Sequence, residues 1–434
     1  MKKAAFYTLG CKVNQYETEA MAELFQNSGY TVCDFSDRAD IYVINTCSVT
    51  NMGDRKSRQI IRRAKKTNPN AIIVVTGCYA QTAPEEVLAI EGVNLVIGTK
   101  DRKNIVSLVE NIEPSENINY VSDIMSNHEF EELQIKRYSN RTRAFIKVQE
   151  GCNQFCSYCI IPYARGPVRS RPIDEVLAEV RELAANGFKE IILVGIHIAS
   201  YGSDQNNVTL ADLILAVDKI DGIERIRLSS IEPMTLNQTF IDSIKPAKKL
   251  CHHFHISLQS GCDETLRRMN RKYTTAQFKE IVDGLRAAFS DAAITTDIMV
   301  GFPDETDDEF NATVEFIRKV SFADAHVFQY SQRRGTPAAK RAGQISPSVK
   351  EVRSKIIIDE TKKTRDEFLS IFIGQTMRVL FEQPVKGGFF EGKTDNYITV
   401  RVKSSEHLND EFRSVTLDTI SDGIAYGKIK EDIV

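Results

Sequence analysis

Residues 150–166 read EGCNQFCSYCIIPYARG and set Cys152, Cys156 and Cys159 three and then two residues apart. The segment just before them, AFIKVQ (144–149), is apolar and strand-sized, so the thiols fall in a loop at the carboxyl end of a strand. Thiolates ligate iron–sulfur clusters and zinc, and three so close together can hold three of the irons of a [4Fe–4S] cluster. A structural zinc needs a fourth ligand nearby. The next histidine downstream, His197, lies far along the chain. The iron left open can then take a cofactor or a substrate. A zinc site, a ferredoxin-type cluster and three structural cysteines are the competing readings of the same spacing.

Working outward, five more apolar runs follow: EIILVG (190–195), RIRLSS (225–230), FHISLQ (254–259), AITTDIMVG (293–301) and DAHVFQY (324–330). Amphipathic stretches such as DEVLAEVRELAANG (174–187) separate them. Six strand–helix units imply a partial (β/α)6 barrel over residues 138–372, working at the carboxyl ends of its strands. Upstream, AAFYTLG, DIYVINT, AIIVVTG and NLVIG alternate with helical segments and imply a parallel α/β domain over residues 1–113. The polar residues 114–137 read as a linker. From Ile373 the pattern turns to short alternating strands broken by Gly, Asn and Asp, as expected for a small all-β barrel over 373–434. The fold class is α/β with this all-β appendage.

The 434 residues are 42% hydrophobic and 26% charged, a globular composition. No run of about 18 apolar residues exists, and MKKAAFYTLG lacks a signal-peptide core, so a cytoplasmic protein without membrane contact is expected. In a reducing compartment the nine cysteines point to metal binding or catalysis over disulfides. Net charge is only −3, yet RKSRQIIRRAKK (55–66) carries seven basic residues and no acid. A second basic run holds Lys136, Arg137, Arg141, Arg143, Lys147, Arg165, Arg169 and Arg171 against Glu150. Such local patches suit a polyanionic partner, although solvated helix faces produce them too.

A second cysteine set stands in the first domain. Cys11, Cys47 and Cys78 each lie just beyond their own strand, and in a parallel sheet those ends gather on one edge. Cysteines buried for packing alone are the bland alternative. Cys33, Cys251 and Cys262 lack such placement and read as structural. No Ser-His-Asp set or paired-carboxylate motif is evident.

The CxxxCxxC spacing, with Tyr158 before the last cysteine, resembles the radical S-adenosylmethionine (SAM) superfamily. That resemblance implies that SAM chelates the open iron and is cleaved to a 5′-deoxyadenosyl radical. The whole domain order resembles the methylthiotransferases: an N-terminal methylthiotransferase domain, a radical SAM barrel and a TRAM domain. It implies two [4Fe–4S] clusters, with Cys11, Cys47 and Cys78 holding an auxiliary cluster that carries the sulfur to be inserted. One SAM would methylate that sulfur and a second would activate the C–H bond. Within the family, TLGCKVNQYETE (8–19) is similar to the branch acting on N6-threonylcarbamoyladenosine beside the tRNA anticodon, through Lys12, Val13, Asn14 and Gln15. The isopentenyladenosine-tRNA and ribosomal-protein S12 branches are the alternatives, nearer YGCQMN and LGCPKN. A non-catalytic iron–sulfur RNA-binding regulator is the alternative of another class.

Further expectations follow from the resemblance. Tyr158, Glu232, Gln259, Arg271 and Asp297 are candidates to contact SAM. Asp304 stands where the family's GFPGET has glycine, which would strain a loop of positive φ. Arg378, Lys386, Phe389, Phe390, Lys393, Tyr397 and Arg401 are RNA-binding candidates in the TRAM-like barrel, alongside Arg55, Arg58, Arg62 and Arg63. The partners implied are the tRNA anticodon stem-loop, SAM, an electron donor and a sulfur source. An arginine is the physical expectation for the threonyl carboxylate.

Overall fold

The computed structural model describes residues 1–113, 115–133, 135, 142–205 and 208–430. Its first sheet contains β1 (Lys3–Thr8), β2 (Thr31–Cys33), β3 (Ile41–Thr46), β4 (Ile72–Gly77), β5 (Leu95–Ile97) and β6 (Ile118–Tyr120). They run parallel in the order β2-β1-β3-β4-β5-β6. Every residue of β3, IYVINT, is buried, as a central strand covered on both faces requires. Helix α1 (Lys12–Asn27) buries Met21 and Phe25 on one face, and α2 (Asn51–Thr67) buries Ile60, Ile61 and Ala64 on the other. The chain changes winding direction between β1 and β3, which opens a crevice at their carboxyl ends.

The stretch read as a linker, 114–137, does more than connect. It supplies the edge strand β6, and Leu133 and Ile135 pack against Tyr16 and Ala20 of α1. All three residues of β6 are exposed, so backbone pairing rather than apolar burial holds it, and hydropathy gives no sign of it. Pro114, Gln134, Lys136, Arg137 and Arg141 lie outside the described residues.

The second domain is the partial barrel. Its strands are β7 (Arg143–Glu150), the two-residue β8 (Arg169–Ser170), β9 (Glu190–Gly195), β10 (Arg225–Leu228), β11 (His253–Gln259), β12 (Ala293–Val300) and β13 (Asp324–Gln329). Strands β10-β9-β7-β8 form one sheet and β11-β12-β13 another. Parallel bridges Ile226–Leu250 and Ile231–Ile256 join them. Apart from β8, which returns antiparallel to β7, these are the six parallel strands expected. Val176, Val180 and Leu183 of the helix Ile173–Ala185 share one core with Ala144, Ile146 and Leu193 of the sheet.

The last five strands, β14 (Thr376–Val385), β15 (Phe389–Lys393), β16 (Thr399–Lys403), β17 (Phe412–Ser421) and β18 (Ile424–Ile429), close into a barrel ordered β14-β15-β16-β18-β17. It forms the floor under the amino ends of the larger barrel's strands. Arg225 donates to the carbonyls of Arg378 (2.7 Å) and Lys393 (2.9 Å), and Arg227 donates to that of Asp395 (3.0 Å). Asn396 donates to Asp291 O at 3.2 Å.

A buried ion network locks the first domain to the second. Arg102 meets Glu17 at 2.6 Å, Arg165 bridges Glu17 (2.5 Å) and Glu150 (2.7 Å), and Lys147 reaches Glu150 at 3.0 Å. All five side chains are fully buried. Burial by itself would raise the Glu17 carboxyl, but Arg102, Arg165 and Lys147 bring it down to about 2. A carboxyl held below its unfolded value contributes stability that is full above the unfolded pKa of about 4.3 and lost as pH falls toward the folded one. The urea midpoint is therefore expected to be flat above pH 6 and to fall steeply between about pH 4 and 2. Glu17→Gln should cost about 3–5 kcal/mol at pH 7, because it strands buried cations, and should flatten that acid limb. A variant with unchanged stability at pH 7 would show that the network is not what joins the domains.

Candidate functional site

Cys11, Cys47 and Cys78 meet at the crevice between β1, β3 and β4. Cys11 caps α1, Cys47 follows β3, and Cys78 opens a short helix, α3 (Cys78–Thr82), directly after β4. The loops approach closely because glycines precede two of the cysteines. Gly10 has φ +102°, and a Cβ there would lie 2.7 Å from Cys47 Cβ and 2.9 Å from its Sγ. Gly77 has φ +93°, and a Cβ there would lie 2.4 Å from Thr46 O. Asn14 ties the loops together: its Nδ2 donates to Leu9 O (2.7 Å) and Thr46 O (3.0 Å). Its Oδ1 accepts from Arg165 Nη2 at 2.6 Å, and Cys11 Sγ lies 3.7 Å from the same oxygen. Arg165 Nε donates to Cys78 Sγ at 3.3 Å.

Burial pushes the Cys11 thiol up, and burial with the neighbouring Cys78 and Cys11 thiols pushes Cys47 up to about 12. Buried this way, Cys11 and Cys47 are poor free nucleophiles. The three thiols together do suit a shared metal centre, whose charge would displace their protons.

The second set lies in the loop after β7. Gly151 takes φ +76° with its Cβ position 1.7 Å from Pro167 O, so the turn into Cys152 admits only glycine. Cys152 N donates to Gly166 O at 3.0 Å and Ser157 Oγ to Arg268 O at 2.8 Å, which anchors the loop at both ends. Burial raises Cys152 to about 11 and Cys159 to about 12. The helix Ile161–Arg165 starts just after Cys159 and ends in the arginine that touches Cys78. One turn and a half of helix thus links the two cysteine sets.

Four of the five residues expected around SAM lie at or beside strand ends on this side. Arg271 Nη1 is 3.4 Å from Cys156 Sγ, and its Nη2 pairs with Glu232 at 2.6 Å. Tyr158 packs edge-on to Phe302, with ring centroids 6.5 Å apart. Gln259 takes φ +69° and leaves its buried Oε1 without a partner, a position that suits a ligand donor. Asp297 lies apart from this group and pairs with His255 (3.1 Å) and His326 (3.4 Å). Asp304 does adopt positive φ, +64°, and Arg341 at 2.6 Å holds its carboxylate.

A cavity of about 740 Å³ opens beside Cys11 and runs through the barrel interior to Tyr397 on its floor. Several C-terminal residues expected to meet RNA are committed elsewhere. Lys393 and Tyr397 line this cavity, and Arg378 stacks on Phe412 at 3.8 Å while pairing with Glu224. Phe390 is core, and Arg401 pairs with Glu391 at 2.8 Å. The hairpin between β15 and β16 turns toward the barrel, so side chains that look exposed by alternation are interfacial. Of that set Lys386 and Arg378 are exposed and Phe389 and Arg401 half-buried, so these four still face the outer surface.

Two family models match the chain: "Radical SAM superfamily" over residues 146–317 and "Uncharacterized protein family UPF0004" over residues 3–98. The chain is 44% identical to the threonylcarbamoyladenosine tRNA methylthiotransferase MtaB of Bacillus subtilis (strain 168), over 94% of this chain and 92% of that one. It is 36% identical to the tRNA-2-methylthio-N(6)-dimethylallyladenosine synthase of Pelotomaculum thermopropionicum, over 96% and 95% of the two chains. The chain belongs to the methylthiotransferase family of radical SAM enzymes. The fold is shared with the radical SAM methyltransferase TsrM of Kitasatospora setae, at TM-score 0.57 and 15% identity, covering 78% of this chain and 77% of that one. Radical SAM enzymes use SAM and a [4Fe–4S] cluster, and the thiols of Cys152, Cys156 and Cys159 are of the right type and spacing to hold one.

Sequence reading missed the positioning roles of Asn14 and Arg165 in this methylthiotransferase. Asn14 stood among residues distinguishing substrates and Arg165 among basic-patch residues, whereas both are buried beside the Cys11 set. Their signal was adjacency to cysteines, which is uninformative until the loops are brought together. In metal-free protein at pH 8, Cys47 is expected to alkylate at least about 100-fold more slowly folded than in urea, because its thiolate is scarce. Asn14→Ala should accelerate alkylation of Cys11 and Cys47 by loosening both loops. Peptide mapping after timed iodoacetamide treatment reads both effects, and equal folded and unfolded rates would contradict the first.

Proposed function

We propose that this methylthiotransferase inserts a methylthio group at C2 of N6-threonylcarbamoyladenosine at position 37 of tRNA. The observation that carries it is the arrangement of two three-cysteine sets joined by the helix Ile161–Arg165, with Cys11 on the wall of the cavity. An adenine C2–H is neither acidic nor open to ordinary electrophiles, so the described carboxylates and histidines could not activate it alone. Cys152, Cys156 and Cys159 would hold the SAM-binding cluster, and Cys11, Cys47 and Cys78 an auxiliary [4Fe–4S] cluster. When bound, these groups supply a 5′-deoxyadenosyl radical on one side and a methylatable sulfur on the other.

The chain's own residues orient and shield that chemistry. Arg271 and Glu232 sit beside Cys156 to receive the charged end of SAM, and Tyr158 and Gln259 complete that wall. Arg165 places a cation against Cys78 and offsets negative charge on the auxiliary site. Arg55, Lys56, Arg62 and Arg63 are exposed on α2 and would contact tRNA phosphates. Phe155 and Tyr163, in T-shaped contact at 5.7 Å and about 40% exposed, stand beside the Cys152–Cys159 loop, where unstacked anticodon bases could lie on them. Position 37 would be splayed from the loop into the cavity. Among the described residues no helix is long and apolar enough to cross a membrane. The electron donor and sulfur source are separate components in this reading.

The deciding measurement is nucleoside mass spectrometry of tRNA treated with reconstituted enzyme, SAM and dithionite. The expected product is 2-methylthio-N6-threonylcarbamoyladenosine; product formed only on isopentenyladenosine would overturn the substrate assignment. Cys156→Ala should abolish both 5′-deoxyadenosine formation and methylthiolation. Cys47→Ala should abolish methylthiolation but leave SAM cleavage, and equal loss of both in that variant would remove the division of labour.

A further inference from the structure

The floor of the cavity carries charge that none of the chemistry above uses. Lys12, in the first turn of α1, and Lys393, at the end of β15, both line it. Among the described residues neither lysine forms an ion pair. Lys393 Nζ donates to Thr399 Oγ1 at 2.5 Å and stands 4.7 Å from the Tyr397 ring centroid. The arginines nearby are already engaged: Arg143 with Glu382 at 3.0 Å and Arg227 with Glu190 at 2.8 Å. Asp297 and Asp324 also line the cavity but form no ion pair with either lysine, an arrangement that an anion would complete.

Tyr397 is held toward this cavity at a cost. It takes φ +71°, which is rare for an aromatic residue. Its ring stacks on His253 with centroids 4.5 Å apart and planes within 9°. The guanidiniums of Arg143 and Arg227 lie 5.6 and 4.7 Å from the same ring. Burial keeps His253 well below its ordinary pKa, helped by Arg227 and Lys393, so this imidazole is neutral and the field around it positive. Asp297, also lining the cavity, accepts from His255 and His326 and has oxygen lone pairs left for a ligand N–H or O–H.

We propose that Lys12, Lys393 and Tyr397 form the receptor for the carboxylate of the substrate's N6-threonylcarbamoyl group, with Asp297 accepting from its carbamoyl N–H or hydroxyl. The proposal rests on the threonylcarbamoyladenosine reading and deepens it by naming the specificity determinants. It replaces the arginine expected from sequence with two lysines and a phenol, because the floor arginines serve the domain interface. A dimethylallyl group would leave both ammonium groups buried and unpaired, so the same floor selects against the neutral substituent. Of the four residues that mark the branch, Asn14 holds loops and Val13 packs on Ile192 and Val194. Lys12 is the charged one that lines the cavity.

The test uses reconstituted enzyme and three anticodon stem-loops, bearing N6-threonylcarbamoyladenosine, its methyl ester, or isopentenyladenosine. Wild type is expected to bind the free acid about 10- to 100-fold more tightly than the ester, the worth of one charge-assisted hydrogen bond or more. In Lys393→Met and Lys12→Met this preference should shrink toward unity, while Lys393→Arg should keep most of it. Tyr397→Phe should lose about three- to tenfold, as one neutral hydrogen bond. Melting curves identify any variant that fails to fold, and Lys393→Arg against Lys393→Met then carries the comparison. An equal affinity of wild type for acid and ester, or a preference intact in both methionine variants, would overturn the receptor assignment. If wild type instead methylthiolated only isopentenyladenosine, the substrate reading itself would fail, an outcome distinct from the other two.

Discussion

The guanidinium of Arg165 is fully buried and reaches Glu17 and Asn14 of the first domain, Glu150 of the second, and the sulfur of Cys78. An unpaired guanidinium in that position would be prohibitive, so the two domains can close only in the register that supplies these partners. Arg102 and Lys147 neutralise the carboxylates from the other side. Such a network adds little net stability over an apolar interface, but it specifies one geometry, and here the geometry sets the distance between two cysteine sets. The domain interface and the reactive site are thus one construction.

Close packing of loops completes what the network begins. The glycines at 10, 77 and 151 let backbones pass where a methyl group would collide, and each lies immediately before a cysteine. Asn14 then spends its amide on the loops carrying Cys11 and Cys47. The small C-terminal barrel closes the opposite end through Arg225 and Arg227, which donate to its backbone. A cavity bounded by three packed units has walls of different chemistry: sulfur at one end, polar strand ends along the side, cations and an aromatic ring on the floor. That is a suitable enclosure for a flipped nucleotide with a charged substituent.

Much of this was legible in the residues. Strand-sized apolar runs separated by amphipathic segments led to the parallel sheet and six barrel strands, since buried parallel strands read as continuous hydrophobic runs. β6 escaped, because its three exposed residues are held by backbone pairing. β8 escaped because two residues carry no period. Among the candidate SAM contacts, Arg271, Glu232 and Tyr158 lie beside the second cysteine set, but Asp297 belongs to the floor group with His255 and His326. Strand-end position alone cannot tell these depths apart, since Gln259 ends its strand while Asp297 lies in the middle of its own.

Local sequence sets which atoms are available: two sets of three thiols, each just past a strand, in an α/β frame whose strand ends face a common side. Spacing and periodicity are local properties and survive being read one residue after another. The use made of Asn14, Arg165, Lys12, Lys393 and Tyr397 emerges with the packed fold. Their roles depend on partners more than 100 residues away or on another domain, as with Arg165 and Cys78 or Tyr397 and His253. An arginine or a tyrosine looks alike in any sequence. What it does is set by the burial and the charges that folding brings around it.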